Sequence, residues 1–419
     1  MKIMIIGSGG RESTIAWKIS QSSKVQKIYC VPGNGGTYTE NKCENIKLSS
    51  INEMADFAQK NAVDITVVGP EVPLSEGIAD IFKERKLNIF GPSQKGALLE
   101  SSKIYSKNFM KKYGVKTAAY GTFDDHDEAL KYLKKCSYPA VIKADGLAAG
   151  KGVIICSTFK EAEAAVSDFM IKDIFKGSGR KIIIEEFIEG VEASILSICD
   201  GNTIIPFISA KDHKQIYEEG KGPNTGGMGA IAPNPYCTPD VLKKFTEDIM
   251  NPTLKGIKEE NIDYIGIIFF GIMISKKGVY LLEYNVRMGD PETQAVLPLM
   301  KTDFIDLISA ALKKELHGFK IEWNDGYCCN VVGASKGYPG SYNTGYEIEG
   351  VKNIKDSDGK VFIAGAEYSE NRLVTSGGRV LCVSSLGSTL EKAREKAYSG
   401  LQKINFEGMY YRKDIGKVY

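Results

Sequence analysis

A strand that runs directly into a glycine loop and then a helix, followed by further short strands each set apart by a helical segment, constrains the first 90 or so residues more than any other feature. Lys2–Ile6 reads as a strand, Ser13–Ser20 as a helix and Lys27–Val31 as a strand. Ile51–Lys60 reads as a helix, Asp64–Gly69 as a strand, Glu76–Arg85 as a helix and Asn88–Phe90 as a strand. Strands separated by crossover helices imply a doubly wound parallel sheet. Gly91-Pro92-Ser93 breaks the pattern and a helix follows from about Ser101 to Tyr113, so an N-terminal α/β domain is expected over residues 1–100. Because Met1-Lys2 passes straight into a strand, no signal peptide is expected.

The remaining chain reads as α+β. Residues 101–190 are expected to form one lobe, with a compact unit over 115–190 and a glycine-rich connection at Asp145–Gly152. Residues 191–325 carry strands at Ala193–Cys199, Thr203–Ala210, Tyr264–Ser275 and Val279–Asn285, with a helix near Asp240–Glu259. A C-terminal domain over 326–419 has strands at Cys328–Ala334, Val361–Ala366 and Arg379–Ser385 and a helix near Thr389–Ile404. At 419 residues, several cores are needed.

Composition narrows the chemistry. Lys plus Arg number 54 against 52 Asp plus Glu, which gives no field for nucleic acid or an anionic membrane. The apolar run Tyr264–Ile274 is roughly half the ~20 residues that cross a bilayer, so a cytoplasmic protein is expected. The nine cysteines include no Cys-x-x-Cys pair, and Cys328-Cys329 would point to opposite faces of a strand. His126, His213 and His317 lack ligand spacing, which disfavours a zinc site or a histidine-dependent hydrolase. Carboxylates, lysines, arginines and glycine loops remain.

Four clusters combine them. Gly7-Ser8-Gly9-Gly10-Arg11-Glu12 could hold a phosphate on backbone N–H groups at a helix start, or be only a tight turn. Glu12 stands where a dinucleotide fingerprint needs Gly or Ala. Lys143 to Val153 offers small residues and two lysines that suit a phosphate clamp. It is not a P-loop, since Gly146 lies one residue too close to Gly150-Lys151 and Gly152 replaces the metal-binding hydroxyl. In Val279 to Thr293, Glu283 and Asn285 should share a face, as a hard-oxygen site for Mg²⁺, while Leu282 and Tyr284 pack. Arg287 could offset charge on a transferring phosphoryl group. Lys211-Asp212-His213-Lys214 and Gly222-Pro223-Asn224-Thr225-Gly226-Gly227-Met228-Gly229 suit a small polar substrate, or a mere connector.

In this order the clusters resemble the phosphoribosylamine–glycine ligase (glycinamide ribonucleotide synthetase) family, a branch of the ATP-grasp superfamily, across essentially the whole chain. Gly289-Asp290-Pro291-Glu292-Thr293-Gln294, Lys143–Val153 and Gly222–Gly229 carry it most specifically, with Asn34-Gly35-Gly36-Thr37, Val68-Gly69-Pro70-Glu71 and Arg412-Lys413-Asp414-Ile415-Gly416 in register. The resemblance implies a two-lobed ATP-grasp fold between an N-terminal doubly wound domain and a small C-terminal domain. It implies ATP contacts at Lys103, Lys107, Lys143, Gly146, Gly150, Lys151 and Gly152 (the last four in a lid). Adenine and ribose would lie against Glu185, Glu186, Phe187, Ile188 and Glu192. Glu283 and Asn285 would hold Mg²⁺ or Mn²⁺, and Arg287, Asp290 and Lys143 would be catalytic. Glycine and phosphoribosylamine would meet Gly9, Gly10, Asn34, Asp212, Lys214, Pro223, Asn224, Thr225, Gly226, Gly227 and Arg287.

The sequence departs from the family at Ser13, where His is common, and at Val286 and Met288 around Arg287. No fused pathway domain is expected, since the chain stops at Tyr419. The expected reaction makes glycyl phosphate from glycine and ATP, then transfers the acyl group to the amine. Two rivals are another ATP-grasp carboxylate–amine ligase or carboxylase, and a non-catalytic nucleotide-binding regulator.

Overall fold

The computed structural model describes residues 1–146, 152–175, 177–355 and 357–417. Its N-terminal sheet has five strands in the order Cys43–Asn45, Lys27–Pro32, Lys2–Gly7, Ile65–Val68, Ile89–Phe90, and every pairing is parallel. Lys2–Gly7 lies at its centre with helices on both faces. Ile3 and Ile5 enter one core while Met4 and Ile6 enter another, which is why this strand is apolar throughout. Helices follow at Gly10–Ser20, Ile51–Lys60 and Ile78–Glu84, close to their expected places. The expected boundary helix is Lys103–Tyr113, capped by the Ser102 hydroxyl and stopped by Gly114 at φ +73°.

Two antiparallel four-stranded sheets come next. The first runs Tyr120–Phe123, Ile182–Glu186, Ala140–Ala144, Val153–Cys156. Helices His126–Leu133 and Phe159–Met170 close its apolar face through Leu133, Ile142, Val166, Phe169 and Ile184. The second runs Ile204–Pro206, Val191–Cys199, Gly266–Ser275, Gly278–Asn285. Regular pairing ends at Pro206, so the strand expected to reach Ala210 is short; beyond it Phe207 N–H still donates to the Leu196 carbonyl at 2.8 Å and an isolated Ser194–Ala210 bridge forms. The helix expected near 240–259 is two helices, Pro239–Phe245 and Asn251–Glu259, joined through a π turn at Thr246–Met250. Pro252 lacks a donor for the α ladder there, and the wider turn absorbs the defect.

The C-terminal sheet takes its first two strands, Lys211–Asp212 and Gly229–Ala232, from within the 191–325 stretch. Tyr327–Ser335, Arg379–Gly387 and Lys360–Ile363 follow, and Met409–Tyr410 pairs beside Tyr327–Ser335. The strand expected over 361–366 is divided: after Ile363 the chain leaves, and Ala366–Ser369 forms a hairpin with Arg372–Thr375. Cys328 faces the core shared with the N-terminal sheet and Cys329 faces the C-terminal core, as alternation requires. That first core also holds Leu196, Ile198, Phe304 and Ile308, so the N-terminal and central sheets are packed against common side chains.

Candidate active site

Where the four sheets converge, a cavity of about 720 Å³ opens. Its centre is the strand Gly278–Asn285, and a bulge decides what that strand presents. Gly271 pairs with Glu283 but Ile272 with Leu281, leaving Leu282 as the extra residue. Leu281 and Tyr284 are therefore buried in the core while Leu282, expected to pack, lines the cavity instead. Its carbonyl accepts a hydrogen bond from Lys143 Nζ at 3.3 Å. Glu283 and Asn285 both face the cavity.

One end of the cavity is cationic. Lys107 Nζ and Lys143 Nζ approach the same Glu185 oxygen at 3.2 and 3.1 Å, and Lys103 Nζ donates to the Gly146 carbonyl at 2.8 Å. Two ammonium groups thus share one buried carboxylate, whose other oxygen has no hydrogen-bond partner among the described residues, with Lys103 as a third cation at this end. Burial pulls Lys107 down to about 8 against the attraction of Glu185, and burial lowers Lys103 as well. Gly146, Gly152, Glu186, Phe187 and Ile188 complete this end, with Ile155, Val153 and Met110 as an apolar slot. Gly150 and Lys151 lie outside the described residues. Glu192 pairs with Lys214 at 2.6 Å.

The opposite end is a charge network. Arg287 meets Glu71 at 3.3 Å and Glu100 at 2.9 Å, and donates to Asn285 Oδ1 at 3.0 Å. Burial raises Glu100 despite Arg287, whereas Glu71, also desolvated, is held below its ordinary range by Arg287 and Arg11. Burial and the neighbouring Glu292 raise Asp212, one of whose oxygens is buried without a partner among the described residues. Glu292 is raised by burial and accepts from Ser194 Oγ at 3.1 Å. Asn224, Thr225, Gly226 and Asp290 also line this end.

Of the two uses expected for it, the first glycine loop has the geometry of a tight turn. Gly9 N–H donates to Glu12 Oε2 at 2.6 Å and Arg11 N–H to Asp290 Oδ2 at 3.1 Å. Cβ atoms added at Gly7 and Gly69 would fall 2.5 and 2.0 Å from Glu12 side-chain atoms. The loop closes around its own carboxylate, because Glu12 occupies the helix start that a phosphate would need. Asn34 is likewise committed: its Oδ1 caps the helix Gly35–Thr39, and its Nδ2 donates to the Ser8, Gly9 and Ile363 carbonyls. Gly9, Gly10, Asn34, Pro223 and Gly227 are not among the cavity's lining residues. Sequence reasoning missed Glu100, Glu292, Tyr338 and Arg379 as lining residues. Only Glu292 carried a signal, its place beside Asp290.

The residues present fit a hard divalent cation bound together with phosphates. Against desolvation, Lys214, Lys143, Lys103 and Arg287 hold Glu283 below its ordinary range, so it stays ionised. With Asn285 it offers two oxygen donors, and no group of three or more His, Cys, Asp or Glu suited to a metal occurs among the described residues. Such a cation would take its remaining ligands from nucleotide oxygens and water.

The phosphoribosylglycinamide synthetase family matches in three parts: its N domain at residues 1–100, its ATP-grasp (A) domain at 101–293 and its C domain at 328–418. A phosphoribosylamine–glycine ligase of Clostridium acetobutylicum is 63% identical over 417 residues, covering 100% of each chain. One from Fusobacterium nucleatum is 54% identical, covering 100% of this chain and 99% of its own. The crystal structure of the Thermotoga maritima phosphoribosylamine–glycine ligase superposes with a TM-score of 0.87 at 35% identity, covering 99% of this chain and 100% of that one. The biotin carboxylase domain of a Hydrogenobacter thermophilus 2-oxoglutarate carboxylase, solved with MgADP and bicarbonate, matches with a TM-score of 0.73 at 17% identity over 98% of this chain and 91% of that one; that likeness is one of fold alone. The chain belongs to the phosphoribosylglycinamide synthetase family and has its ATP-grasp fold.

Proposed function

We propose that the chain joins glycine to 5-phospho-D-ribosylamine at the expense of ATP, giving glycinamide ribonucleotide, ADP and phosphate for purine synthesis. Full-length relatives that bear the ligase name support the activity. The observation that carries the site assignment is one cavity with three lysines at one end, Glu283 and Asn285 at its centre and Arg287 beyond them. A nucleotide placed with its phosphates toward Lys103, Lys107 and Lys143 has its base in the slot bordered by Glu185–Ile188. Glu192 would then lie near the ribose. Mg²⁺ or Mn²⁺ held by Glu283 and Asn285 would neutralise phosphate charge.

A carboxylate is a poor electrophile, so activation must come first. A glycine carboxylate oxygen attacks the γ-phosphorus, the bond to the β-phosphate oxygen breaks, and ADP leaves. The acceptor amine then attacks the glycyl carbon and phosphate leaves with the oxygen that glycine supplied. Lys143 and Arg287 offset charge on the transferring group, and fixed geometry supplies most of the rest. Asp212, Lys214 and Asn224–Gly226 border the non-nucleotide substrates, and Asp290 holds that end in place. No helix among the described residues is long and apolar enough to cross a membrane.

Glycine labelled with ¹⁸O in both carboxyl oxygens tests the route. One label should appear in each released phosphate and one in the amide. Amide formed without label in phosphate would contradict an acyl phosphate.

A further inference from the structure

One wall of the cavity has no role in this scheme: Tyr338 and Tyr342, which follow the strand Tyr327–Ser335, and Arg379. Arg379 opens the strand Arg379–Gly387, far in sequence from every other site residue. Its Nη1 donates to the carbonyls of Gly226 and Asp290, each at 2.7 Å, and more weakly to Gly227 at 3.4 Å. Its Nη2 pairs with Asp290 Oδ1 at 3.2 Å. The N–H of Gly226 donates to the Tyr338 hydroxyl at 2.9 Å. Both peptide groups of Gly226 are thus held by side chains of the C-terminal domain.

The loop needs such holding. Gly222 and Gly227 have φ of +80° and +111°, and a glycine-rich segment has large backbone freedom to lose. A Cβ at Gly226 would stand 2.9 Å from Arg379 Cζ, so a side chain there would displace the guanidinium. The planar guanidinium reaches acceptors on two separate segments, which a lysine ammonium cannot do in the same way. Asp290 extends the tie, because its carboxylate also receives Arg11 N–H at 3.1 Å and Gln294 Nε2 at 3.0 Å.

We propose that Arg379, helped by Tyr338, is a positioning residue that clasps the loop 224–227 to Asp290 and so pre-shapes the cavity end for the non-nucleotide substrates. The inference rests on the ligase reading above. The test uses full-length Arg379→Gln, Arg379→Lys, Tyr338→Phe and Gly226→Ala, with ATP, glycine and phosphoribosylamine varied in turn. Loss of charged hydrogen bonds should raise KM for glycine or phosphoribosylamine roughly ten- to a hundredfold in Arg379→Gln. KM for ATP should stay within about twofold, and Arg379→Lys should recover only part of the loss. Tyr338→Phe and Gly226→Ala should show the same split, with smaller effects for Tyr338→Phe. Hydrogen exchange supplies a readout independent of activity: Arg379→Gln should speed exchange within 222–229 and leave the Lys2–Gly7 strand unchanged. Unchanged exchange in that loop, unchanged KM for both non-nucleotide substrates, or a parallel rise in KM for ATP would overturn the clasp. Wild-type protein that releases ADP without glycine would instead sink the ligase reading, and the exchange result would still decide the clasp.

Discussion

Lys107 is buried beside Lys143 and shares Glu185 with it, and burial pulls its ammonium down to about 8. Phosphates placed against it would restore the charge, so the proton it lacks must be taken up on binding. ATP affinity should therefore be fully expressed below pH 8 and weaken as pH rises above it. Calorimetry near pH 8 in buffers of different ionisation enthalpy should show proton uptake that disappears in Lys107→Arg; no uptake in the wild type would contradict a phosphate contact. At the same scale, Glu283→Ala removes the carboxylate that four cations keep ionised. Metal-dependent turnover should fall by roughly a hundredfold or more, by analogy with the loss of one electrostatic stabiliser. Near-normal turnover would exclude Glu283 as the ligand. Lys143, Glu283, Asn285 and Arg287 were legible in the sequence because each sits in a dense local pattern. Arg379 and Glu100 were not, because they enter the site through long-range contacts that leave no local trace.

Elements show where local chemistry overrides a pattern. Alternation along Gly278–Asn285 correctly turns Glu283 and Asn285 into the cavity, but one extra residue at Leu282 breaks the alternation before them. Nothing in the strand's composition marks that bulge. Pro252 lacks a donor for its helix ladder, and the structure shows the consequence as a π turn. The turn from Lys2–Gly7 into Gly10–Ser20 was legible as strand, glycine loop and helix. Its occupant was not, since Glu12 folding back is a tertiary outcome involving Gly69. Gly69→Ala would drive a methyl to within 2.0 Å of Glu12 Oε1. Overpacking of this kind costs roughly 1–3 kcal/mol, so the urea midpoint should drop. An unchanged midpoint would mean that Glu12 has space to move.

For the whole molecule, the alternating elements of the first 90 residues were enough to foresee the parallel N-terminal sheet. What no local pattern revealed is that Lys211–Asp212 and Gly229–Ala232 join the sheet of the C-terminal strands. That crossing matters to function, because it brings Asp212, Lys214 and the loop 224–227 to Arg379 and Tyr338, opposite the three lysines. The cavity thus exists only in the assembled chain, and one coupled reaction across its two ends needs all three substrates together. ADP release with Mg²⁺-ATP, glycine and freshly made phosphoribosylamine, each omitted in turn, tests this most directly. Sustained ADP formation is expected only when all three are present, with the glycine amide detected by mass in equal amount. Sustained ADP formation that ignores glycine, without that amide, would contradict it and point to another carboxylate substrate on the same fold.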